Sequence, residues 1–339
     1  MRKLKHPKPG RRSAAVLIGA IAALAMALAA PAGAKTSHCL IINNALNATY
    51  TSLQAAQDAA SAADTLWVRG NCVGTTEITK DLTITGQQPS GYTTPTLDGA
   101  SQGSVLSIDS GVMVTINTLT ITGGSGTNTE GVTGGGGINN FEGAVILNGT
   151  SITGNRADSG GGIANTGGSV TLNDSSISGN TASYGGGINS GINGTFVGSV
   201  TLNGSSSISG NTGGRVGGGI LNEGGPVTLN DSSSISDNTA GTDGGGINNH
   251  SGGSVTLNDS SSINTNTAGR YGGGIYNETF GTLTLDDSSS ISGNTAGTDG
   301  GGIYNGPLAG TVTLNESSSV TGNNPNNCAP PGSVAGCTG

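Results

Sequence analysis

The sequence predicts an all-β fold: a right-handed parallel β-helix of about nine or ten three-stranded coils, closed at its start by a short capping helix. Three observations carry that expectation. The phrase Gly-Gly-Gly-Ile returns seven times, with its isoleucines at Ile138, Ile163, Ile188, Ile220, Ile247, Ile275 and Ile303, separated by 25, 25, 32, 27, 28 and 28 residues. A fixed period of that size is the mark of a solenoid. Each period also holds a Val-Thr-Leu-Asn-like and a Ser-Ile-Ser-Gly-Asn-like phrase, too short for helices and alternating as strands do. Finally, 64 glycines and only 9% charged residues would suit a flexible chain, but here the apolar residues stay in register with the repeat.

Residues 1–34 read as a secretory signal peptide. Arg2, Lys3, Lys5, Lys8, Arg11 and Arg12 form a positive n-region, Ala14 to Ala30 is apolar, and Ala32-Gly33-Ala34 supplies the cleavage site. Arg11-Arg12 leaves a twin-arginine route open beside the general secretory one. After cleavage the chain keeps six Lys and Arg against all twenty Asp and Glu, a formal charge of −14. That balance argues against nucleic acid and anionic membrane as partners, both of which reward basic clusters. It leaves no membrane span, and the expected product is secreted, extracellular or loosely wall-associated, and monomeric. In a solenoid the two ends are far apart, so Cys39 is expected to pair with Cys72 and Cys328 with Cys337.

Residues 35–64 are expected to form an N-terminal cap. Leu40 to Asn43 looks like a strand and Thr51 to Ala63 like an amphipathic helix, with Thr51 and Gln54 at capping-box spacing and Leu53, Ala56, Ala60 and Ala63 on one face. A solenoid must cover the core it exposes at each end. The β-helix spans 65–323. Its irregular first coils contain candidate strands at Leu66 to Arg69, Glu77 to Thr79, Leu82 to Thr85, Val105 to Ile108, Val114 to Asn117 and Leu119 to Thr122. From Gly134 onward each repeat carries three strands, in the fifth Ile247 to Asn249, Val255 to Asn258 and Ser262 to Asn264. Coils stacked at roughly 4.8 Å give a rod about 45 Å long. Residues 324–339 form an irregular, disulfide-closed C-terminal cap.

Stacking turns repeats into columns. Three are aliphatic: the Gly-Gly-Gly-Ile isoleucines; Leu147, Leu172, Leu202, Leu229, Leu257, Leu285 and Leu314; and Ile152, Ile177, Ile208, Ile235, Ile263, Ile291 and Val320. Three are asparagine columns. One runs Asn140, Asn165, Asn222, Asn249, Asn277, Asn305, interrupted by Ser190. A second runs Asn148, Asn173, Asn203, Asn230, Asn258, Asn315, with Asp286 in place. The third, Asn155 to Asn323, is unbroken. Side-chain amides so placed can bond coil to coil, and Asn tolerates left-handed corners.

The phrases Gly-Gly-Gly-Ile and Ile-Ser-Gly-Asn resemble the paired GG[A/L/I]I and FxxN repeats of polymorphic outer-membrane proteins, with Gly in the third glycine-motif position and Ile in place of Phe, over roughly Gly134 to Asn323. Tyr50 to Gly86 resembles the opening of pectin-lyase-like β-helix proteins. The resemblance implies a right-handed β-helix and, in members that carry a C-terminal barrel, adhesion; no barrel-forming domain is expected here.

For chemistry, a glycan hydrolase of this shape needs paired carboxylates, and a lyase needs a cation on acidic ligands plus a base. Asp286-Asp287 is the sole adjacent acidic pair and has no Lys, Arg or His in register; His250, in Asn249-His250-Ser251-Gly252, reads as a surface-loop residue. A polysaccharide lyase or glycoside hydrolase is therefore the alternative, and a non-catalytic scaffold that binds or adheres to glycan or envelope material is the leading reading. Asp231, Asp259, Asp287 and Glu316 recur one coil apart, either as a solvated acidic edge or as oxygen ligands bridged by Ca²⁺, the one cofactor the sequence allows. Arg215, Asp243, Arg270 and Asp299 precede successive glycine runs and alternate in sign, as cross-coil pairs would. Tyr276 and Tyr304 follow the inward isoleucines of adjacent coils and should point outward and stack, with Tyr271 and Tyr184 in a second outward column. Such rings suit sugar stacking or protein contact, or simply shield one another.

Overall fold

The computed structural model describes residues 38–126, 134–192 and 194–337; the leader expected at 1–34 lies outside them. The chain winds as a parallel β-solenoid of about nine turns. Its strands form one 12-stranded, two 10-stranded and one 7-stranded sheet. In the fifth repeat the glycine-run strand is Ile247–His250, the valine–leucine strand Ser254–Leu257 and the isoleucine–serine strand Ser262–Asn264. A two-residue strand, Thr267–Ala268, adds a fourth ladder to the three expected. Its inward residues, among them Ala182, Ala240, Ala268 and Ala296, are buried. One small residue per coil is too weak a pattern for periodicity to show.

Neighbouring coils pair in register, mostly like on like, with one irregularity between Ala182 and Tyr184. Val227, Val255 and Leu283 are successive partners, as are Ile247, Ile275 and Ile303. All three aliphatic columns are buried except at the last coil, where Leu314 is only partly covered. The glycine run owes its length to the same stacking. Gly244 sits at φ +69°, where an added Cβ would fall 2.5 Å from the Ile247 carbonyl. A Cβ on Gly245 would lie 2.4 Å from the Gly273 carbonyl and one on Gly246 2.6 Å from that of Gly274, so the next coil occupies the space a side chain would need.

The unbroken asparagine column is the most heavily bonded. Asn238 is fully buried. Its Nδ2 donates to Asn266 Oδ1 and to the Ile208 carbonyl, each at 2.9 Å, and its Oδ1 accepts the Asn211 N–H at 2.9 Å and Asn211 Nδ2 at 3.0 Å. This column and the first donate toward the following coil; the second donates toward the preceding one, as from Asn258 to Asn230 at 2.8 Å. Where the first column is interrupted, acceptors are left over. Asn140 Oδ1 and Asn222 Oδ1 are buried without a partner because the preceding coils present Ile108 and Ser190 at that position.

Both ends are closed. Leu40–Asn43 pairs antiparallel with Ala48–Tyr50 and with Asp64–Arg69, so the large sheet begins in two antiparallel pairings with Ala48–Tyr50 at its edge. The helix is Leu53–Ala59, shorter than expected, and its cap is Ser52, whose Oγ accepts the Ala55 N–H at 3.3 Å. Gln54, expected in a local capping box, instead accepts the Glu77 N–H at 2.9 Å, satisfying a donor on the exposed edge of the first glycine-run strand. Ala63 lies beyond the helix at φ +67°. Strands at Asn71–Val73 and Thr96–Asp98 were not expected; Cys72 and Leu97 are their single buried residues and continue the isoleucine column. At the far end Cys328–Ala329 pairs with the last glycine-run strand and Val334 enters the core. Both expected disulfides are present, with Cα–Cα distances of 4.5 Å for Cys39–Cys72 and 6.2 Å for Cys328–Cys337.

The two kinds of asparagine should differ in weight. Asn238→Ala leaves the Asn211 N–H without its acceptor and removes the side-chain donor to the Ile208 carbonyl, while the Asn211 amide keeps only its bond to the Ile177 carbonyl; it is expected to destabilise by about 2–5 kcal/mol, on the cost of about 1–3 kcal/mol per buried unpaired group. Asn258→Ala in the half-exposed column should cost under about 1 kcal/mol. Thermal and denaturant unfolding of the two variants checks the ratio.

Candidate functional site

The outward face of the glycine-run sheet holds most of the chemistry-bearing side chains. Its strands alternate an inward Ile, an outward residue, an inward Asn and a second outward residue. The first outward column reads Asn189, Leu221, Asn248, Tyr276, Tyr304. These residues are outward of the core yet not open to solvent: Leu221, Asn248 and Tyr276 are 2%, 4% and 9% exposed. The turns before the glycine runs fold back close to them, bringing Asp243, Arg270 and Tyr271 alongside.

Tyr276 and Tyr304 stack as expected, with centroids 5.4 Å apart and planes at 17°. Tyr271, expected in a separate column, joins the same stack, 4.4 Å from Tyr304 and 6.4 Å from Tyr276. The Arg270 guanidinium lies 4.9 Å from the Tyr271 ring centre, a cation–π distance. Burial first, then the hydrogen bond to Glu278 and that carboxylate's charge, pushes the Tyr276 phenol well above the ordinary tyrosine range. Tyr304 is raised too, by burial and then by Tyr271, Asp299 and Glu278.

Of the alternating charges, one pair forms. Arg270 Nε donates to Asp243 Oδ1 at 3.0 Å and its Nη2 to Oδ2 at 2.5 Å, a bidentate fork. The Asp243 side chain is 5% exposed and that of Arg270 53%. Asp243 also accepts the Tyr271 N–H at 3.2 Å. Hydrogen bonding to Asp243, then its charge, raises the Arg270 guanidinium pKa further. The other expected pairings give way to different partners. Both arginines reach back one coil, and Arg215 meets the Tyr184 hydroxyl at 2.8 Å instead of an acid. Asp299 accepts from Asn326 at 3.1 Å.

Beside the tyrosines lies an open cleft of about 310 Å³. Asp243 and Arg270 enter it from the turns, Asn248 and Tyr276 from the outward column, and His250 and Glu278 from the ends of the strands. His250, expected in a loop, ends the strand Ile247–His250, where its Nε2 is 3.8 Å from a Glu223 carboxylate oxygen and its Nδ1 2.7 Å from the Ser251 hydroxyl. Glu223, Asn248 and Glu278 were not singled out from the sequence, yet Glu223, His250 and Glu278 each follow an asparagine of the first column, so aligning outward as well as inward positions would have shown them. Both oxygens of Asp243 are engaged by Arg270, so it is not a free acid or base.

The acidic edge has its own geometry. Asp231, Asp259, Asp287 and Glu316 are exposed and sit at left-handed corners, φ 51–58°. Asp231 accepts the Gly204 N–H at 2.8 Å, Asp259 that of Asp231 at 3.0 Å, and Asp287 that of Asp259 at 3.2 Å. Two coils before Asp231, the Ser205 N–H and hydroxyl hold the Asp174 carboxyl below the usual range. These carboxylates therefore close corners between coils. Among the described residues, no group of three or more His, Cys, Asp or Glu is placed to hold a metal. The insertion at 190–198 places Phe196 6.2 Å from Phe141 and brings no catalytic set.

The fold is that of a β-solenoid repeat protein, and one stretch of it is similar to the repeat of polymorphic membrane proteins. The family model described as Chlamydia polymorphic membrane protein (Chlamydia_PMP) repeat matches residues 288–306, a stretch holding one Ile-Ser-Gly-Asn and one Gly-Gly-Gly-Ile phrase. No curated protein and no solved structure matches the chain. Among the described residues no helix is long and apolar enough to cross a membrane.

Two measurements probe the site's electrostatics. In an alkaline titration followed by tyrosinate absorbance, Tyr276 and Tyr304 should ionise above the ordinary tyrosine range, and Tyr276→Phe should remove a late-ionising group. A raised folded-state pKa gives stability that is complete below the unfolded value near 10 and fades as pH rises through the folded one, so unfolding midpoints should fall above about pH 10. Arg270→Met should destabilise by about 1–3 kcal/mol, because it strands the buried Asp243 carboxylate; Arg215→Met, at an exposed contact, should change stability by under about 1 kcal/mol.

Proposed function

We propose that the chain is a non-catalytic β-helix scaffold that binds or adheres to a surface, glycan or envelope material, through the tyrosine face of the glycine-run sheet. The observation that carries this reading is the stack of Tyr271, Tyr276 and Tyr304 beside a polar cleft. Aromatic faces backed by a rigid sheet and flanked by Asn, Asp, Glu and Arg offer a sugar ring both stacking and hydrogen bonds. The repeat type supports a surface role over catalysis, and the leader sequence supports export, with the product extracellular or loosely wall-associated and monomeric. Ca²⁺ on the acidic edge of Asp231, Asp259, Asp287 and Glu316 would be an accessory to binding.

The test is the purified chain without its leader on a glycan array, with and without Ca²⁺, followed by an assay for sugars released from bound ligands. Retention without release is expected, and Tyr276→Ala with Tyr304→Ala should weaken it by roughly tenfold, the scale of contact that aromatic rings contribute. Sugar release would move the protein to the polysaccharide lyase or glycoside hydrolase class. Unchanged affinity in the double variant would remove the tyrosine face from the site.

A further inference from the structure

We infer that the corner between the glycine-run and valine–leucine strands carries a docking groove for an extended polypeptide segment of another protein, one that presents apolar side chains together with Lys or Arg. This surface is separate from the tyrosine face and does not rest on it.

The chain has three phenylalanines, Phe141, Phe196 and Phe280, and a core filled by aliphatic columns uses none of them. All three lie on this one corner and all are exposed. Met113, Val197 and Leu308 are exposed on the same corner, so among the described residues it gathers six of the eight large apolar side chains that solvent reaches. Single exposed apolar residues are ordinary, but a row of them along one edge marks a contact site. Next to the insertion at 190–198, the two preceding coils turn the corner in two residues each, Glu142-Gly143 and Gly167-Gly168. The insertion therefore stands beside a low floor, and an open groove of about 410 Å³ results. It crosses the first residues of five successive strands of the large sheet, from Met113 at one end to Pro226 at the other. Four steps of roughly 4.8 Å make it about 19 Å long, the reach of about six extended residues. The Phe141 and Phe196 rings meet beside it with centroids 6.2 Å apart. Each stays 39% exposed, so mutual shielding does not account for them. Phe280 and Leu308 extend the row beyond the groove.

Charge selects the partner. Glu142 is the sole charged residue lining the groove, and the Ser110 hydroxyl donates to its Oε2 at 2.8 Å. Along the same corner, from Ser110 to Leu308, the other ionisable residues are Glu223, His250 and Glu278, and there is no Lys or Arg. A second copy of the chain would set acid against acid, on top of a formal charge of −14 on each copy. Hydrocarbon would strip water from Glu142 without providing a partner for it. A basic, partly apolar polypeptide pairs with the acid at the rim while it covers Met113, Phe196 and Val197. That is the apolar centre and polar edge on which protein interfaces are built.

Fluorescence anisotropy with labelled octapeptides tests the assignment on the purified chain without its leader. A peptide of alternating leucine and lysine is expected to bind. Peptides of alternating leucine and glutamate, and of alternating serine and lysine, should each bind roughly tenfold more weakly, the scale of one strong interface contact. Phe196→Ser with Val197→Ser on the insertion, and Met113→Ser at the far end of the groove, should each weaken the leucine–lysine peptide by roughly tenfold. Their unfolding midpoints should stay level, because the side chains replaced are exposed. Glu142→Gln should narrow the preference for lysine over glutamate. Absence of binding by the leucine–lysine peptide overturns the assignment, as does equal binding of either control peptide or full affinity in both groove variants. A dimer in sedimentation that the insertion variant makes monomeric overturns it in favour of a second copy of the chain. Flotation with phosphatidylcholine vesicles that the same variant abolishes overturns it in favour of a lipid surface.

Discussion

Every coil of this solenoid lies on the next in parallel register, so each side chain meets its own equivalent at roughly 4.8 Å above and below. That constraint governs which residues the repeat tolerates. Isoleucine, valine and leucine stack on themselves without penalty. Asparagine does so with gain, because an amide is complementary to itself: Nδ2 of one coil meets Oδ1 of the next, as at Asn211, Asn238 and Asn266. A charged residue in the same place would repel its copy, which accounts for a chain with only 9% charged residues. Where acids do recur, at Asp231, Asp259 and Asp287, they are exposed, and each carboxylate turns to a backbone N–H of the preceding coil.

The glycine runs obey the same rule from the backbone side. Gly245 and Gly246 have no room for a Cβ because the carbonyls of Gly273 and Gly274 already fill it. Close approach at that corner brings the preceding turn near the sheet and sets Asp243, Arg270 and Tyr271 against the outward column. The phrase that defines the repeat is thus a scaffold device whose by-product is the cleft wall.

The inward half of the fold was legible because its periodicity is the register itself. The aliphatic and asparagine columns and both disulfides follow from spacing. The rest depended on contacts that spacing does not encode. Gln54 looked like part of a local helix cap and works instead on Glu77, a residue of the first coil. Arg215 and Arg270 occupy equivalent positions, yet only Arg270 finds an acid, because the residue one coil back is Asp243 in one case and Tyr184 is the nearer partner in the other. His250 looked like a loop residue because the glycines after it mask the strand end on which it sits. Tyr271 could be placed in its column, but not in the stack it shares with Tyr276 and Tyr304, which forms across two columns.

In a structure whose stability comes from sameness between coils, departures from sameness carry the information. Inward departures are few and leave visible defects, such as the unpaired acceptor of Asn222 above Ser190. Outward departures are dense in one place. Along successive coils the same position changes from Leu221 to Asn248 to Tyr276, and the position two residues on from Glu223 to His250 to Glu278. An asparagine beside a leucine gains nothing from stacking, whereas His250, 3.8 Å from Glu223, interrupts what would otherwise be a run of like charges. The column is broken where the cleft lined by Asn248, His250, Tyr276 and Glu278 opens, so the coils differ most from one another on that face.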